Sequence, residues 1–347
     1  MSPTPASPTR FHRACLGQPV DRVPVWLMRQ AGRYMPEYQA VRADAGGFHE
    51  LCKSPKHAAQ ATLDAARILG TDAAIIFSDI TMPGEPMGLE LVFEPGPRFK
   101  NPLRTDHDLR RVRDVDAPRD LGYVMDAIRL TRAALPADVS LIGFVGAPFT
   151  LAGYFIEGDP SASRGWRETK RLAYGEPELM HGILERVTRV VTDHARAQIA
   201  AGCDAIQLFD STAGELAHAE LRAFAFHYAK RVIHALADTG VPIIYFARQI
   251  GAHLEEAAAL GAHVLGLDWT VTLGEARSRL PANVTLMGNL DPATLFTSRA
   301  EVERRTRAIL DESRGMQGFV FNLGHGVLPG TPVENVKQVI ETVHGWR

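Results

Sequence analysis

The chain has 347 residues, with 38 basic against 40 acidic side chains, a formal net charge of −2 and 46% hydrophobic content. Such a balance suits a soluble globular fold with a large core and excludes a global field for nucleic acid or an anionic membrane; an anionic ligand must be held by a local cluster of cations. Three cysteines, Cys15, Cys52 and Cys203, form neither a C-x-x-C pair nor a zinc-ligand spacing, so no disulfide framework and no zinc site is indicated, and a reducing cytosol fits best.

Residues 1–10, "MSPTPASPTR", are rich in Pro, Ser and Thr and lack an apolar core segment, so they read as a disordered tail and not a signal peptide, with one domain over 11–347. The first strand-like run, "VPVWL" (23–27), ends in Arg29 and Arg33, four residues apart. Arginine suits bidentate recognition of carboxylate or phosphate, although two arginines at this spacing also fit a solvated helix face. Ser54-Pro55 then reads as a cap and first-turn proline for a helix that Gly70 stops.

A second run, "AAIIF" (73–77), leads to Ser78-Asp79. Residues 81–120 are Pro- and Gly-rich with one strand-like "LELVF", which predicts a hairpin excursion. "SLIGF" (140–144) leads into "VGAPFTLAGY" with Tyr154, a stretch too short and too broken by Gly and Pro to span a bilayer. A helix over 178–202 precedes "AIQLF" (205–209), which runs into Asp210-Ser211. A helix over 220–240 precedes "PIIYF" (242–246), followed by Arg248 and a helix over 253–261. "HVLGLDW" (263–269) contains Asp268, "TLMGNL" (285–290) leads to Asn289 and Asp291, a helix covers 299–313, and "FVFNL" (319–323) is followed by Gly324-His325-Gly326.

The eight runs are continuously apolar, the pattern of parallel strands buried on both faces, and helical segments fall between most of them. That alternation predicts a single α/β domain, a closed (β/α)8 barrel, with a doubly wound open sheet as the alternative. In such a barrel chemistry sits at the C-terminal strand ends, where Arg29, Arg33, Asp79, Tyr154, Ser211 and His325 would converge. Each also has an ordinary explanation. Asp79 can cap its own turn, Ser211 a helix, Tyr154 can be a rim aromatic, and His325 can sit in a turn between two glycines. Asp268 and Asp291 read as turn or capping residues. No P-loop lysine, G-x-G-x-x-G, nucleophile elbow or H-E-x-x-H is present. What remains is a set of arginines, one carboxylate, hydroxyls and a histidine, suited to acid–base work on an anionic substrate without a cofactor.

The segments "PVWLMRQAGRYMPEY", "IIFSDI", "GFVGAPFTLAGYFIEG", "QLFDSTAG", "GLDW", "GNLDP" and "NLGHGVLPGTP" resemble, in order and over nearly the whole chain, the uroporphyrinogen decarboxylase family. The resemblance implies a (β/α)8 barrel, a cytoplasmic homodimer, and removal of CO2 from the four acetates of uroporphyrinogen III to give coproporphyrinogen III in haem biosynthesis, with neither cofactor nor metal. It implies that Asp79 is the essential aspartate and that Arg29, Arg33 and Tyr154 share the catalytic site. Ser211 and His325 would bind substrate arms, and Phe144 and Phe209 would form apolar walls. Thr212, where an aromatic is common, and the segment "YFARQIGAHLEE" depart from the family pattern and bear on pocket shape. Two rivals stand beside this reading: a methyl transferase on the same barrel, which would want a zinc-bound thiolate site, and a tetrapyrrole carrier, which would not need Asp79.

Overall fold

In the computed structural model, which describes residues 8–93, 96–161 and 165–347, the apolar runs become staves of one parallel sheet. β1 (Ala73–Ile75) is followed by a short antiparallel pair, β2 (Leu91–Val92) and β3 (Arg98–Phe99), which is the expected hairpin. Then come β4 (Ser140–Gly146), β5 (Ala205–Asp210), β6 (Ile243–Ala247), β7 (Val264–Gly266), β8 (Thr285–Leu290) and β9 (Phe319–Leu323). The parallel sheet runs in the order β1-β4-β5-β6-β7-β8-β9, each stave beside the next of its kind in sequence, as repeated βα units require.

The eighth stave is irregular, which corrects the expectation of a full strand over 23–27. Val25 forms a single parallel bridge to Phe321, Phe321 N–H donates to Pro24 O at 2.9 Å, and Asp72 N–H donates to Val25 O at 2.8 Å. The segment therefore closes the ring between β9 and the residue just before β1, and an open doubly wound sheet is excluded. Pro24 has no N–H to give, and side chains replace the rest of the ladder. Val25 N–H donates to Asp72 Oδ2 at 2.9 Å, Leu27 N–H to Gln30 Oε1 at 3.2 Å and Met28 N–H to Asn322 Oδ1 at 3.1 Å.

Trp26, Ile142, Ile244, Val264, Met287 and Val320 pack together as the filling of the barrel. Phe11, Ala14 and Cys15 of the helix Arg10–Cys15 join that cluster. This helix closes the N-terminal end of the staves: Thr9 bonds Ser140 at the start of β4, and Thr285 Oγ1 at the start of β8 donates to Ala14 O at 3.3 Å. The opposite end, at the C-terminal ends of the staves, opens into a cavity. Thr9 caps the helix through His12 N–H, and Arg10 Nη1 donates to Asp72 Oδ1 at 2.7 Å. Folded chain thus begins by Thr9, earlier than the boundary expected at residue 10, while residues 1–7 lie outside the described ones.

The helices follow from their stops. Pro55–Leu69 ends at Gly70, which has φ 70°, and Pro177–Ala201 ends at Gly202, which has φ 120°, the left-handed geometry glycine adopts cheaply. Ser54 stands at the cap position, but its hydroxyl bonds His57 Nδ1 at 2.7 Å and caps no N–H. The helix expected over 220–240 is composite: His218–Glu220, a π-type stretch Leu221–Phe226, and His227–Ala235. The one expected over 253–261 shortens to Leu254–Ala258, and that over 299–313 is Arg299–Glu312, capped by Ser298. "PFTLAGYFIE" is also a helix, Pro148–Glu157, with proline in its first turn.

Candidate active site

At the mouth of the barrel the chain turns sharply after Leu27. Gln30 N–H donates to Leu27 O at 2.9 Å, and Arg29, third residue of this turn, takes φ 64°. An arginine in a conformation that favours glycine is strained, and such strain persists where surrounding contacts enforce it. The next helix begins only at Pro36, so Arg29 and Arg33 do not share a helix face. The two glycines around His325 have separate uses. A Cβ on Gly326 would lie 2.4 Å from Arg29 Cδ and 2.6 Å from its Cγ, whereas one on Gly324 would lie 2.8 Å from the backbone nitrogen of Trp269. Gly326 lets the Arg29 side chain lie across it; Gly324 lets the loop after β7 close against β9.

Beneath Arg29 lies a cavity of about 330 Å³ that brings together Arg29, Arg33, Asp79, Ser211 and His325, with Phe144 and Phe209 in its wall. Asp79 Oδ1 accepts from Thr81 N–H at 2.8 Å and from Thr81 Oγ1 at 2.5 Å. The turn-capping role is therefore real, but it occupies one oxygen, and Oδ2 has no hydrogen-bond partner among the described residues. Burial pushes the Asp79 carboxyl above the usual carboxylate range, opposed by the two bonds from Thr81 and the positive field of Arg29.

Ser211 caps nothing: the short turn after it, Ala213–Glu215, has Thr212 at its start and no side-chain cap. Burial, with Arg29 and Arg248 adding to it and Asp268 opposing, depresses His325 to about 3, so its imidazole is neutral at neutral pH. Phe144 and Phe209 meet edge to face with centroids 5.7 Å apart, Phe246 stands 6.3 Å from Phe209, and His325 stands 6.2 Å from Phe246. An aromatic belt thus runs along one wall from β4 to β9.

Tyr154 is the exception among the expected residues. It sits half-buried on Pro148–Glu157, edge-on to Trp166 at 5.6 Å, and does not line the cavity. It is still near enough to Asp79 and Arg29 for both to bear on it: burial and Asp79 push its hydroxyl up and Arg29 pulls it down. Tyr154 therefore stands close to Asp79 and Arg29 as a neutral phenol. Asp268 accepts from Gln249 N–H at 2.6 Å and Thr270 N–H at 2.9 Å, and Asp291 accepts from Ala293 N–H at 2.8 Å. Both have the turn and capping roles expected of them.

Residue reasoning missed Arg42 and Tyr38. They lie one turn apart on the helix Pro36–Asp44 and both line the cavity. The signal was available as an i, i+4 pair following Arg33. The hairpin contributes Phe93, Gly96 and Pro97 to the same wall, a long-range contact that no local pattern shows. The Arg248 Nε, just after β6, is buried and has no hydrogen-bond partner among the described residues.

The family model described as uroporphyrinogen decarboxylase (URO-D) matches residues 6–346. The chain belongs to the uroporphyrinogen decarboxylase family. It is 47% identical to the uroporphyrinogen decarboxylase of Geobacter metallireducens over 335 residues, covering 96% of this chain and 98% of that one. It is 46% identical to that of Trichlorobacter lovleyi with the same coverage. A methyltransferase from Methanosarcina mazei, 20% identical with a TM-score of 0.77, aligns over 97% of this chain and 98% of its own; at that identity the likeness is one of fold alone. Among the described residues, the convergence of arginines on one cavity carboxylate, Asp79, is the feature of this chain that bears on chemistry.

Proposed function

We propose that this chain removes CO2 from the four acetate side chains of uroporphyrinogen III, giving coproporphyrinogen III, with the folded chain from Thr9 to Arg347 acting as one catalytic domain. The observation that carries the reading is Asp79: a carboxylate with one oxygen tied to Thr81 and the other unpartnered, in a cavity that Arg29, Arg33 and Arg42 also line.

The substrate's chemistry explains why those groups are needed together. An acetate on a neutral pyrrole has no acceptor for the electrons of the C–C bond that must break. Protonation of the ring carbon beside the acetate supplies one: the bond breaks, its electrons enter the cationic ring, and CO2 leaves. The exocyclic methylene then takes a proton to become methyl, and the ring carbon loses its own. The net change per arm consumes one proton and releases one CO2. Asp79 Oδ2 would accept hydrogen bonds from the pyrrole N–H groups and stabilise the cationic ring, which is electrostatic preorganisation in a partly desolvated site. Its raised carboxyl must be ionised for this, so activity falls as pH drops through that raised value.

Arg29, Arg33 and Arg42 would hold substrate carboxylates, and Ser211 and neutral His325 would orient the arms by hydrogen bonds. Phe144 and Phe209 would face the macrocycle. Tyr154, close to Asp79, would share the catalytic site by donating a hydrogen bond toward that carboxylate. A cytoplasmic homodimer belongs to the same reading, and sedimentation of the purified chain tests the dimer.

The test is anaerobic turnover of uroporphyrinogen III, with products oxidised to porphyrins and separated by carboxylate number. A ladder from eight carboxylates to four supports the proposal. Tight binding with an unchanged eight-carboxylate peak would favour a carrier instead.

A further inference from the structure

On the outer rim, away from the cavity, His218, His253 and Glu256 place one ligand atom each within 4.8 Å of one another. His218 opens the helical turn after β5, while His253 and Glu256 stand one turn apart after β6, so two separate loops meet here. His253 Nδ1 lies 3.4 Å from Glu256 Oε1, and His218 Nε2 lies 3.9 Å from the same oxygen. Around an ion with bonds of roughly 2.0–2.2 Å, tetrahedral ligands stand about 3.4 Å apart along an edge. Of the three edges, the His253–Glu256 one, a hydrogen bond in the structure, already matches, and the His218–Glu256 and His218–His253 edges, 3.9 Å and no more than 4.8 Å, close when the exposed His218 ring moves inward. The two imidazoles lie with centroids 4.5 Å apart at 53°, so both rings stand side by side over the same carboxylate.

The carboxylate is also oriented from outside. Arg222 donates through Nε to Glu256 Oε2 and, at 3.0 Å, through Nη2 to Oε1, the oxygen that both histidines face, which leaves one lone pair of Oε1 for an ion. Such an outer partner fixes a ligating carboxylate without using all of its lone pairs. Glu255 is held by Arg279 through two bonds of 2.8 and 2.7 Å, so the fourth position falls to water.

We propose that His218, His253 and Glu256 form a surface site for one divalent transition-metal ion of the zinc class, which staples the loop after β5 to the loop after β6. Those loops carry Ser211 and Arg248, so the ion would stiffen one side of the barrel mouth. Donor type supports the class: two imidazoles and one carboxylate suit zinc, cobalt or nickel and not magnesium or calcium. The reading is independent of the decarboxylase proposal, and so is its test.

Zinc is titrated into the full-length metal-free chain by calorimetry, with cobalt followed in parallel by its visible absorption bands. The expected result is one ion per chain, bound at least about 10-fold more weakly by His253→Ala and by Glu256→Gln, with slower amide exchange across both loops when zinc is bound. Absence of saturable binding would overturn the proposal. So would undiminished binding in the variant combining His218→Ala and His253→Ala, which would place the ion elsewhere. Thermal unfolding of each variant without metal, unchanged from the parent, separates loss of a ligand from loss of the fold.

Discussion

Gly326→Ala moves one methyl group into the path of Arg29. The glycine has no left-handed φ, so alanine costs the backbone nothing there and, by restricting the unfolded chain, is neutral or slightly stabilising. The obstacle is the Arg29 side chain, whose Cδ would lie 2.4 Å from the new Cβ. Ordinary contact begins near 3.4 Å, so the arginine must retreat by about 1 Å, and its guanidinium with it. A displacement of that size at a group that positions substrate costs on the order of 100-fold in rate, or about 2.7 kcal/mol of transition-state stabilisation. The expected outcome is a fall of about two orders of magnitude in kcat/KM for uroporphyrinogen III with an unfolding midpoint shifted by no more than about 2 °C. The assay is the anaerobic turnover assay, run on Gly326→Ala, Arg29→Ala and the double variant. If Gly326 acts only by giving room to Arg29, the glycine substitution has no further effect once Arg29 is gone. An unchanged rate in Gly326→Ala, or an equal loss in the Arg29→Ala background, would refute the reasoning.

Three other outcomes are expected. Asp72 is buried and accepts from Arg10, from Arg22 through two bonds, from Val25 N–H and from His344; Asp72→Ala leaves those groups unpaired at the barrel seam and should cost about 3–5 kcal/mol in chemical denaturation. Burial holds this carboxyl's charge less easily, but the His344, Val25 and Arg22 bonds win and lower it, so its contribution is present above the ordinary carboxylate range and fades as pH falls through the lowered value. His194 is buried with neither ring nitrogen partnered among the described residues, and burial depresses it to about 4. The unfolded chain then binds the extra proton first, so stability should decline by up to about 1.4 kcal/mol per pH unit between roughly 6.5 and 4, and His194→Met should flatten that slope in pH-dependent melts. Arg42→Ala, removing a half-buried cation from the cavity, should raise KM for the eight-carboxylate substrate by about 10-fold or more with a smaller change in kcat.

The staves were legible because parallel strands buried on both faces read as unbroken apolar runs, and "AIQLF" or "FVFNL" allow little else. The strand expected over 23–27 was over-read as regular because apolar content says nothing about where N–H groups go: Asp72, Gln30 and Asn322 take over the ladder from side chains that no local pattern shows. Pro148–Glu157 was missed for a related reason. Nine of its ten residues are buried, so it shows no polar face and no stripe. Asp79, Arg29, Arg33, Ser211 and His325 were legible from their places at strand ends. Tyr154 stands on that helix against Trp166, near Asp79 and Arg29, a placement its distance from a strand end in the sequence does not show. His218, His253 and Glu256 meet only because two barrel loops do, and reading cysteines for metal ligands passes over them.

The central claim rests on Asp79, and Asp79→Asn tests it most directly, because asparagine keeps the shape and the Thr81 contacts but removes the charge. Binding of uroporphyrinogen III and its turnover are measured on the same anaerobic preparation. The account predicts retained binding, within about 10-fold of the parent, and turnover lowered by at least about 1,000-fold, as expected when a preorganised charge is lost from a desolvated site. Turnover within a few-fold of the parent would contradict it, since the developing ring cation would then be stabilised by some other group.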